Sequence, residues 1–366
     1  MSVDEQWMGK ALALARKGEG LTRPNPPVGA LVVRRGVLVG QGCHLRAGKA
    51  HAEVLALKQA GERARGATLY VTLEPCSTVG RTPPCSVCIT QHGIKRVVVA
   101  VRDPNPPHRG KGFSRLRKQG IEVVEGICAD EAHRLIMPFA KWVLTGRPYV
   151  TLKLGMSLDG KIADYRGVSR WVTGAASRSV VQDMRRRADA VIVGAGTVCV
   201  DNPSLLPKPA EARKPFRVIL DARGRVRPCS RVLSDNARSR TIMVTTSACP
   251  DRRRNAWLAR GASVWKLRGT RRGVSLPALL DKLGKEGLLH VLCEGGSDVA
   301  SRFIRAELVD EYVFFVAPRI IGGRTALSAV GGAGWKLDAS PELAFVDCRS
   351  LGRDMMVRAQ PLKKKR

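Results

Sequence analysis

The chain has 366 residues, 44% hydrophobic and 26% charged, which excludes a disordered or collagen-like chain and predicts two globular domains. No apolar run approaches the roughly 20 residues that a membrane-spanning helix needs, and the acidic first residues lack a signal-peptide core, so we expect a cytoplasmic protein with no membrane partner. The net charge is +32, but the basic residues are spread along the chain and only 5% of residues are aromatic, so we do not expect nucleic acid as a partner.

The first part of the chain alternates predicted strands and helices, which is the pattern of an α/β domain. Asp4 is the predicted N-cap of the first helix. The predicted elements are, in chain order, a helix over 4–18, a hairpin turning near Arg35 and Gly36, a helix opening at His51, a strand ending at Cys76, a helix from near Cys85, strands RVVVAV and IEVVEG, and a helix near 129–145.

The second part of the chain repeats the α/β pattern after a short link, Gly146-Arg147-Pro148, where we place the domain boundary. We therefore predict one domain over 1–147, a second over 148–360, and a basic tail over 361–366. The strands of the second domain are predicted at 149–154, 190–194, 216–220, 241–245, 289–293 and 312–317.

Histidine and cysteine residues near the predicted strand and helix ends form a pattern typical of a catalytic zinc site. Glu53 lies two residues after His51, and Cys76 and Cys85 each follow a proline. One histidine and two cysteines are a suitable set of three zinc ligands, which leaves a fourth position for water. Zinc lowers the pKa of that water toward 7, and a glutamate that is not a ligand moves its protons, as in nucleobase deaminases.

The spacing leaves two choices for the pair of cysteine ligands. The segment PCSVC over 84–88 matches the usual deaminase spacing, whereas Cys76 and Cys85 lie nine positions apart across a loop. We favour Cys76 and Cys85, because the end of a strand is a usual place for an active-site residue on an α/β sheet. Cys88 is then expected to pack within the helix that follows Cys85.

Motifs in both halves resemble the bifunctional deaminase/reductase of riboflavin biosynthesis, and together they span most of the chain. The motifs of the first half are HAEVLAL, LYVTLEPCS, GRTPPC, RPNPPVGALVV, GxHxxAGxxHAE from Gly42 to Glu53, and DPNPP with GKG from Asp103 to Gly112. The motifs of the second half are KLGMSLDGKIA from Lys153, SRWVTG from Ser169, VIVGAGTV followed by Asp201-Asn202-Pro203, and CEGGS from Cys293 to Ser297.

The resemblance implies an α/β fold in which an N-terminal cytidine-deaminase-like three-layer α/β/α domain precedes a dihydrofolate-reductase-like α/β domain. It implies one Zn²⁺ per chain, NADPH, a phosphorylated pyrimidine substrate and a homo-oligomer. The first reaction would be hydrolytic deamination of 2,5-diamino-6-(5-phosphoribosylamino)pyrimidin-4(3H)-one. The second would be NADPH-dependent reduction of the ribosyl chain to ribityl.

The resemblance also implies a role for each residue that matches a family motif. In the first domain, His51, Cys76 and Cys85 would bind zinc, Glu53 would be the catalytic proton shuttle, and Asn25 would bind the pyrimidine. Residues implied to contact NADPH are Gly155, Trp171, Thr197, Asp201, Gly296 and Ser297. Residues implied to contact the phosphorylated substrate in the second domain are Ser169, Arg185, Leu205, Lys208 and Glu294.

Two positions depart from the family pattern. The family commonly has histidine two places after the first cysteine, where this chain has Thr78, whose hydroxyl can hydrogen-bond but carries no positive charge. The family has arginine where this chain has Lys208. Lysine keeps the charge but loses the two parallel hydrogen bonds that a guanidinium makes to phosphate, so weaker phosphate binding is expected there.

Two other functions stay open on the sequence. The chain could be a deaminase whose second half binds a ligand without turning it over. Its charge also admits a nucleic-acid-binding protein or a deaminase acting on RNA bases, for which a steep salt dependence of binding would be expected.

Overall fold

The computed structural model describes residues 1–78, 83–209 and 213–362 of the chain. Its internal contacts divide the chain into two compact units, Met1–Arg147 and Pro148–Arg366. In the described residues, no helix is both long enough and apolar enough to cross a membrane.

The first unit contains five strands and five α-helices in the described residues. The strands are β1 (Gly29–Arg34), β2 (Val37–Cys43), β3 (Thr68–Leu73), β4 (Arg96–Val101) and β5 (Glu122–Glu125). The helices are α1 (Val3–Arg16), α2 (Ala52–Ala60), α3 (Cys85–Gln91), α4 (Lys111–Lys118) and α5 (Ala129–Thr145), with a 3₁₀ turn over Gly61–Ala64.

The sheet of the first unit has the strand order β2-β1-β3-β4-β5. β1 runs antiparallel to β2 and β3, while β3, β4 and β5 are parallel to one another. Because β3 and β4 are adjacent and parallel, the loops that follow them leave the sheet at the same edge. The strand predicted to end at Cys76 ends earlier, at Leu73, so Cys76 lies on the loop after β3.

Helices cover both faces of this sheet, which confirms the predicted three-layer α/β/α arrangement. Alternating residues of β3 point to opposite cores, Leu69 to one and Tyr70 to the other, as a period of two requires. Helices α2, α3 and α4 complete the first core, with Leu57 and Phe113 among its buried residues. Helices α1 and α5 complete the second, which includes Leu12.

The N-cap of α1 differs from the prediction. Ser2 is the N-cap, and it forms a reciprocal capping box with Glu5. Asp4 lies inside the first turn, where its carboxylate instead accepts hydrogen bonds from Tyr70 and from both terminal nitrogens of Arg96, at 2.8 to 2.9 Å. The interactions with β3 and β4 therefore determine the role of Asp4, and the sequence around α1 does not reveal them.

The second unit contains eleven strands and six α-helices in the described residues. Its strands are β6 (Tyr149–Ser157), β7 (Ala190–Gly194), β8 (Phe216–Leu220), β9 (Thr241–Thr245), β10 (Ser263–Lys266), β11 (Gly269–Thr270), β12 (Gly273–Val274), β13 (His290–Gly295), β14 (Glu311–Ala317), β15 (Leu343–Leu351) and β16 (Asp354–Pro361). Its helices are α6 (Ala175–Arg187), α7 (Ala195–Asp201), α8 (Arg231–Ser234), α9 (Asp251–Ala259), α10 (Leu276–Lys285) and α11 (Ser297–Arg305), with 3₁₀ turns over Arg238–Arg240 and Leu337–Ala339.

Nine of these strands form one sheet in the order β10-β9-β8-β7-β13-β6-β14-β16-β15. The strands from β10 to β14 in this order are parallel, and β16 and β15 add an antiparallel edge. Helices α10 and α11 pack on one face, where Leu279 and Phe303 are buried. Helices α7, α8 and α9 pack on the other, around Val198, Leu233 and Trp257.

The C-terminal end of the chain differs in one detail from the prediction of a tail over 361–366. Strand β16 continues through Pro361, which therefore belongs to the sheet. Residues 363–366, the basic part of the predicted tail, lie outside the described residues.

Candidate active sites

The first unit brings His51, Cys76 and Cys85 together at one edge of its sheet. His51 is the N-cap of α2, Cys76 lies on the loop after β3, and Cys85 is the first residue of α3. Nδ1 of His51 lies 3.1 Å from Sγ of Cys85 and 3.6 Å from Sγ of Cys76. The ligand atoms of the three residues all lie within 4.8 Å of one another, which is the spacing of a shared metal ion.

Cys88, the alternative ligand, lies one turn further along α3. It packs against the core beside α2 and α3, and its Sγ is 3.7 Å from Nδ1 of His92. It therefore does not belong to the group of converging ligand atoms in the described residues.

The protonation of the two converging thiols suits a cation. A hydrogen bond from Cys85 holds the pKa of Cys76 well below its usual range, and the same contact raises the pKa of Cys85. A divalent cation stabilises both thiolates, so the imidazole and thiol donors fit zinc.

Glu53 lies in the first turn of α2, two residues after His51. Its side chain is buried, with 4% of the residue exposed. Burial, and then the negative charge of Cys76, raise the pKa of the Glu53 carboxyl. A carboxyl group with a raised pKa is suited to accepting a proton and returning it.

A cavity of about 290 Å³ opens beside these residues. Phe139, Trp142 and Val143 of α5 supply an apolar wall, and polar side chains face them. The remaining lining residues are Pro24, Asn25, Pro26, Val28, His44, His51, Glu53, Leu73, Glu74, Cys76, Thr78, Asp103, Asn105 and His108. An apolar wall opposite a few fixed polar groups is the usual form of a site for a small aromatic molecule.

Asn25 is oriented in this cavity by His44, a residue that the motif beginning at Gly42 contains but to which we assigned no role from the sequence. Nδ1 of His44 lies 3.2 Å from the carbonyl oxygen of Ala50, and Nε2 lies 3.2 Å from Nδ2 of Asn25. Since a carbonyl can only accept, Nδ1 donates and Nε2 accepts from the Asn25 amide. Burial lowers the pKa of His44, in keeping with this neutral form.

Glu74 is a second residue for which no role was predicted from the sequence. Its buried carboxylate accepts three backbone N–H groups, from Asp103 at 3.1 Å and from Gly110 and Gly112 at 2.9 Å each. The loop after β4 is thereby fixed to the loop after β3. This contact holds Asp103 and its neighbours at the cavity.

In the second unit, the candidate residues gather where β6, β7 and β13 end. Gly296 is the N-cap of α11 with a φ of 90°, and Oγ1 of Thr197 donates to the carbonyl of Gly295 at 3.3 Å. A Cβ added to Gly296 would lie 3.0 Å from Thr197 Oγ1, so both the positive φ and this close contact favour glycine at the turn. Ser297 is buried, and its hydroxyl donates to the carbonyl of Ser328.

Two residues assigned to different ligands contact each other. Oγ of Ser169, an expected substrate contact, donates to Oδ1 of Asp201, an expected NADPH contact, at 2.8 Å. Both line a cavity of about 620 Å³.

Trp171 is 63% exposed, with the Arg178 guanidinium 4.5 Å from its ring centre. Gly155, on β6, faces Thr173, whose Cγ2 would lie 3.4 Å from an added Cβ.

Arg185 and Glu294 form a bidentate ion pair. Nε and Nη2 of Arg185, on α6, donate to the two carboxylate oxygens at 2.5 and 2.8 Å. Lys153, on β6, places Nζ 3.9 Å from the same carboxylate. Burial lowers the pKa of Lys153, while Glu294 opposes this shift. Lys153 is the first residue of the motif KLGMSLDGKIA, but no role for it was predicted from the sequence.

The last two candidates lie on the segment after α7. The Leu205 side chain is buried in the core, so a ligand contact at this position would come from its backbone. Lys208 is exposed and donates its backbone N–H to Gln182 at 3.1 Å. Lys208 and Arg185 line one cavity of about 370 Å³, together with Gln182, Ser204, Leu206, Pro207, Lys214, Arg231, Asp235, Asn236 and Ala237.

Comparisons with known proteins give a match for each of the two units. Residues 1–101 match the cytidine and deoxycytidylate deaminase zinc-binding region, and residues 148–357 match the RibD C-terminal domain. The fold and sites thus define a zinc-dependent deaminase joined to an NADPH-dependent reductase of dihydrofolate-reductase-like fold. The chain belongs to the RibD family of bifunctional deaminase/reductases of riboflavin biosynthesis.

Relatives match over nearly the whole chain. The riboflavin biosynthesis protein RibD of Bacillus amyloliquefaciens is 43% identical, covering 98% of this chain and 96% of its own. RibD of Aquifex aeolicus is 42% identical, covering 97% and 98%. The solved structure of Acinetobacter baumannii RibD has a TM-score of 0.87 at 38% identity, covering 98% of this chain and 99% of that one. The predicted family, fold and cofactors are confirmed.

Proposed function

We propose that His51, Cys76 and Cys85 hold the zinc ion of the deaminase and that Glu53 moves the protons of the reaction. The single observation that supports this most is the convergence of the three ligand atoms within 4.8 Å beside a buried carboxyl. Zinc bound there supplies the Lewis acidity that makes water nucleophilic near neutral pH.

The deamination replaces an amino group of the substrate by oxygen. Glu53 takes a proton from the attacking water and passes protons to the ring nitrogen and to the departing amine, which leaves as ammonia. Because the amide nitrogen of Asn25 donates to His44, the orientation of the amide is fixed. Its oxygen is then available to accept from an N–H of the pyrimidine. The apolar wall of Phe139 and Trp142 packs against the ring.

In the second unit, we propose that Gly155, Trp171, Thr197, Asp201, Gly296 and Ser297 bind NADPH, which supplies hydride. The glycine-bearing turn before α11 offers backbone N–H groups at a helix N-terminus, the usual environment for a phosphate. The proposed substrate contacts are Ser169, Arg185, Leu205, Lys208 and Glu294.

Reduction of the ribosyl chain to ribityl requires a proton as well as a hydride. We assign the proton to Lys153, because its buried ammonium is made more acidic by desolvation and lies beside Glu294. Glu294 also fixes Arg185 through both carboxylate oxygens, so one carboxylate positions two cationic side chains.

The proposal is tested by the mass of the product formed from the diaminopyrimidinone substrate with and without NADPH. Without NADPH we expect the substrate to exchange one NH for oxygen and to release ammonia. With NADPH the same product should gain two hydrogen atoms. Deamination without that gain would show a second unit that binds without turnover, and no mass change would refute both assignments.

A cytoplasmic location, a homo-oligomeric state and the absence of a nucleic-acid partner stay predictions. Light scattering of the purified protein measures the oligomeric state. Filter binding of RNA over a salt series tests the last prediction, because neutralised phosphates would give a steep slope.

A further inference from the structure

The loop between β4 and α4 carries His108 to the cavity that is lined by His51, Glu53 and Cys76. Nδ1 of His108 lies 3.4 Å from Oγ1 of Thr78, which lines the same cavity. The two residues lie on different loops, one after β3 and the other after β4. Their contact therefore joins the two loops at this cavity.

We propose that His108 is a substrate-binding residue of the deaminase cavity, that its ring is positioned by Thr78, and that it contacts oxygen atoms of the sugar-phosphate part of the substrate. This inference rests on the deaminase function proposed above. It adds a residue that none of the motifs assigned.

The backbone of His108 is held in place from both sides. Its N–H donates to the carbonyl of Asn105 at 2.9 Å, and its carbonyl accepts from Lys111 at 3.0 Å. Two residues later, the N–H of Gly110 donates to the buried Glu74 carboxylate at 2.9 Å. A side chain on so constrained a loop can bind a ligand with little loss of conformational freedom.

The Thr78 contact determines what the imidazole offers to a ligand. When the Thr78 hydroxyl donates to Nδ1, the proton of the neutral ring lies on Nε2, which is then a donor. Sugar hydroxyl and phosphate oxygens accept such a bond.

Residue 78 is one of the positions at which this chain departs from the family pattern. The family commonly has histidine there, whereas threonine provides only a hydroxyl. Because His108 contacts Thr78 directly, the loop after β4 supplies an imidazole beside the position from which the loop after β3 would otherwise supply one. We therefore expect histidine at either position to support binding.

The test is steady-state kinetics of deamination by the full chain with its zinc. His108→Ala should raise the deaminase KM about tenfold, the loss of one charge-assisted hydrogen bond, and change kcat by less than about threefold. Thr78→Val, which keeps the shape and removes the hydroxyl, should raise KM by a smaller factor. Reduction of supplied deaminated substrate should be unchanged in both.

Matched variants separate binding from general disruption. His133→Ala removes an exposed histidine of the same unit and should leave KM unchanged. His108→Gln keeps a donor near the place of Nε2 and should recover part of the affinity. Introducing Thr78→His into His108→Ala should lower KM again by at least about threefold if an imidazole is what the substrate requires.

Each outcome bears on one claim. If wild-type protein with stoichiometric zinc does not deaminate, the proposed function fails. If wild-type protein deaminates and His108→Ala keeps its KM, or loses kcat alone, the role of His108 is refuted. Should His108→Ala fail to fold or lose zinc, His108→Gln and Thr78→Val decide, and unchanged KM in both overturns the inference.

Discussion

Replacing Glu74 by glutamine is expected to loosen residues 103–112, which are the loop after β4 and the start of α4 and form one side of the deaminase cavity. The carboxylate accepts three backbone N–H groups at 2.9 to 3.1 Å. Hydrogen bonds to a charged group contribute roughly 1.5–3 kcal/mol each. Glutamine keeps one acceptor oxygen and turns an NH₂ donor toward N–H groups, so the loss of one or two bonds costs about 2–5 kcal/mol of loop stability.

Native-state hydrogen exchange measures this loss directly. Even 2 kcal/mol corresponds to about a 30-fold increase in the opening equilibrium of the segment, so the amides of residues 103–112 should exchange at least that much faster. The deaminase KM should rise, and reduction of supplied deaminated substrate should not change. Glu62→Gln, at an exposed acid of the same unit, is the control. Unchanged exchange over 103–112 in Glu74→Gln would refute the role of this carboxylate.

Three further predictions concern the proposed site residues. Cys85→Ser should lose zinc and deamination, whereas Cys88→Ala should keep both, as metal analysis will show; zinc loss in Cys88→Ala would contradict the ligand assignment. Glu53→Gln should retain zinc and slow deamination by ~10²–10⁴ with reduction intact, and a folded variant lacking both activities would count against independent sites. Lys208→Arg should lower the reductase KM several-fold, which corresponds to about 1 kcal/mol, and Lys208→Ala should raise it. If neither variant changes KM, Lys208 is a solvated surface charge that does not contact the substrate.

The sequence predicts the central strands well because they are continuous apolar runs. β7 is buried at every position, and a short apolar run that follows a polar helix and ends at a glycine is typical of a central strand of a parallel sheet. The strand β15 escapes prediction for the opposite reason. Residues 343–351 are mostly exposed, so they lack the strict alternation that marks a half-buried strand.

The convergence of His51, Cys76 and Cys85 could be predicted because each residue lies in a short motif close to the end of an element. The roles of Glu74 and Lys153 could not be predicted from the sequence, although both residues lie in motifs that resemble the family. Glu74 acts on backbone groups 29 to 38 positions away, which become neighbours only because β3 and β4 pair. Lys153 meets Glu294 only through the pairing of β6 with β13.

The other charged residues of its cavity determine how much the lysine at position 208 affects phosphate binding. Nε and Nη2 of Arg185 donate to Glu294, and Asp235 is paired with Arg217, so these charges are largely balanced. The same cavity is lined by Lys208, Lys214 and Arg231. Since Coulomb attraction to a phosphate sums over neighbouring cations, lysine in place of arginine keeps that total and changes only the geometry of one contact. A modest change in KM, with no loss of turnover, is what this composition of the cavity dictates.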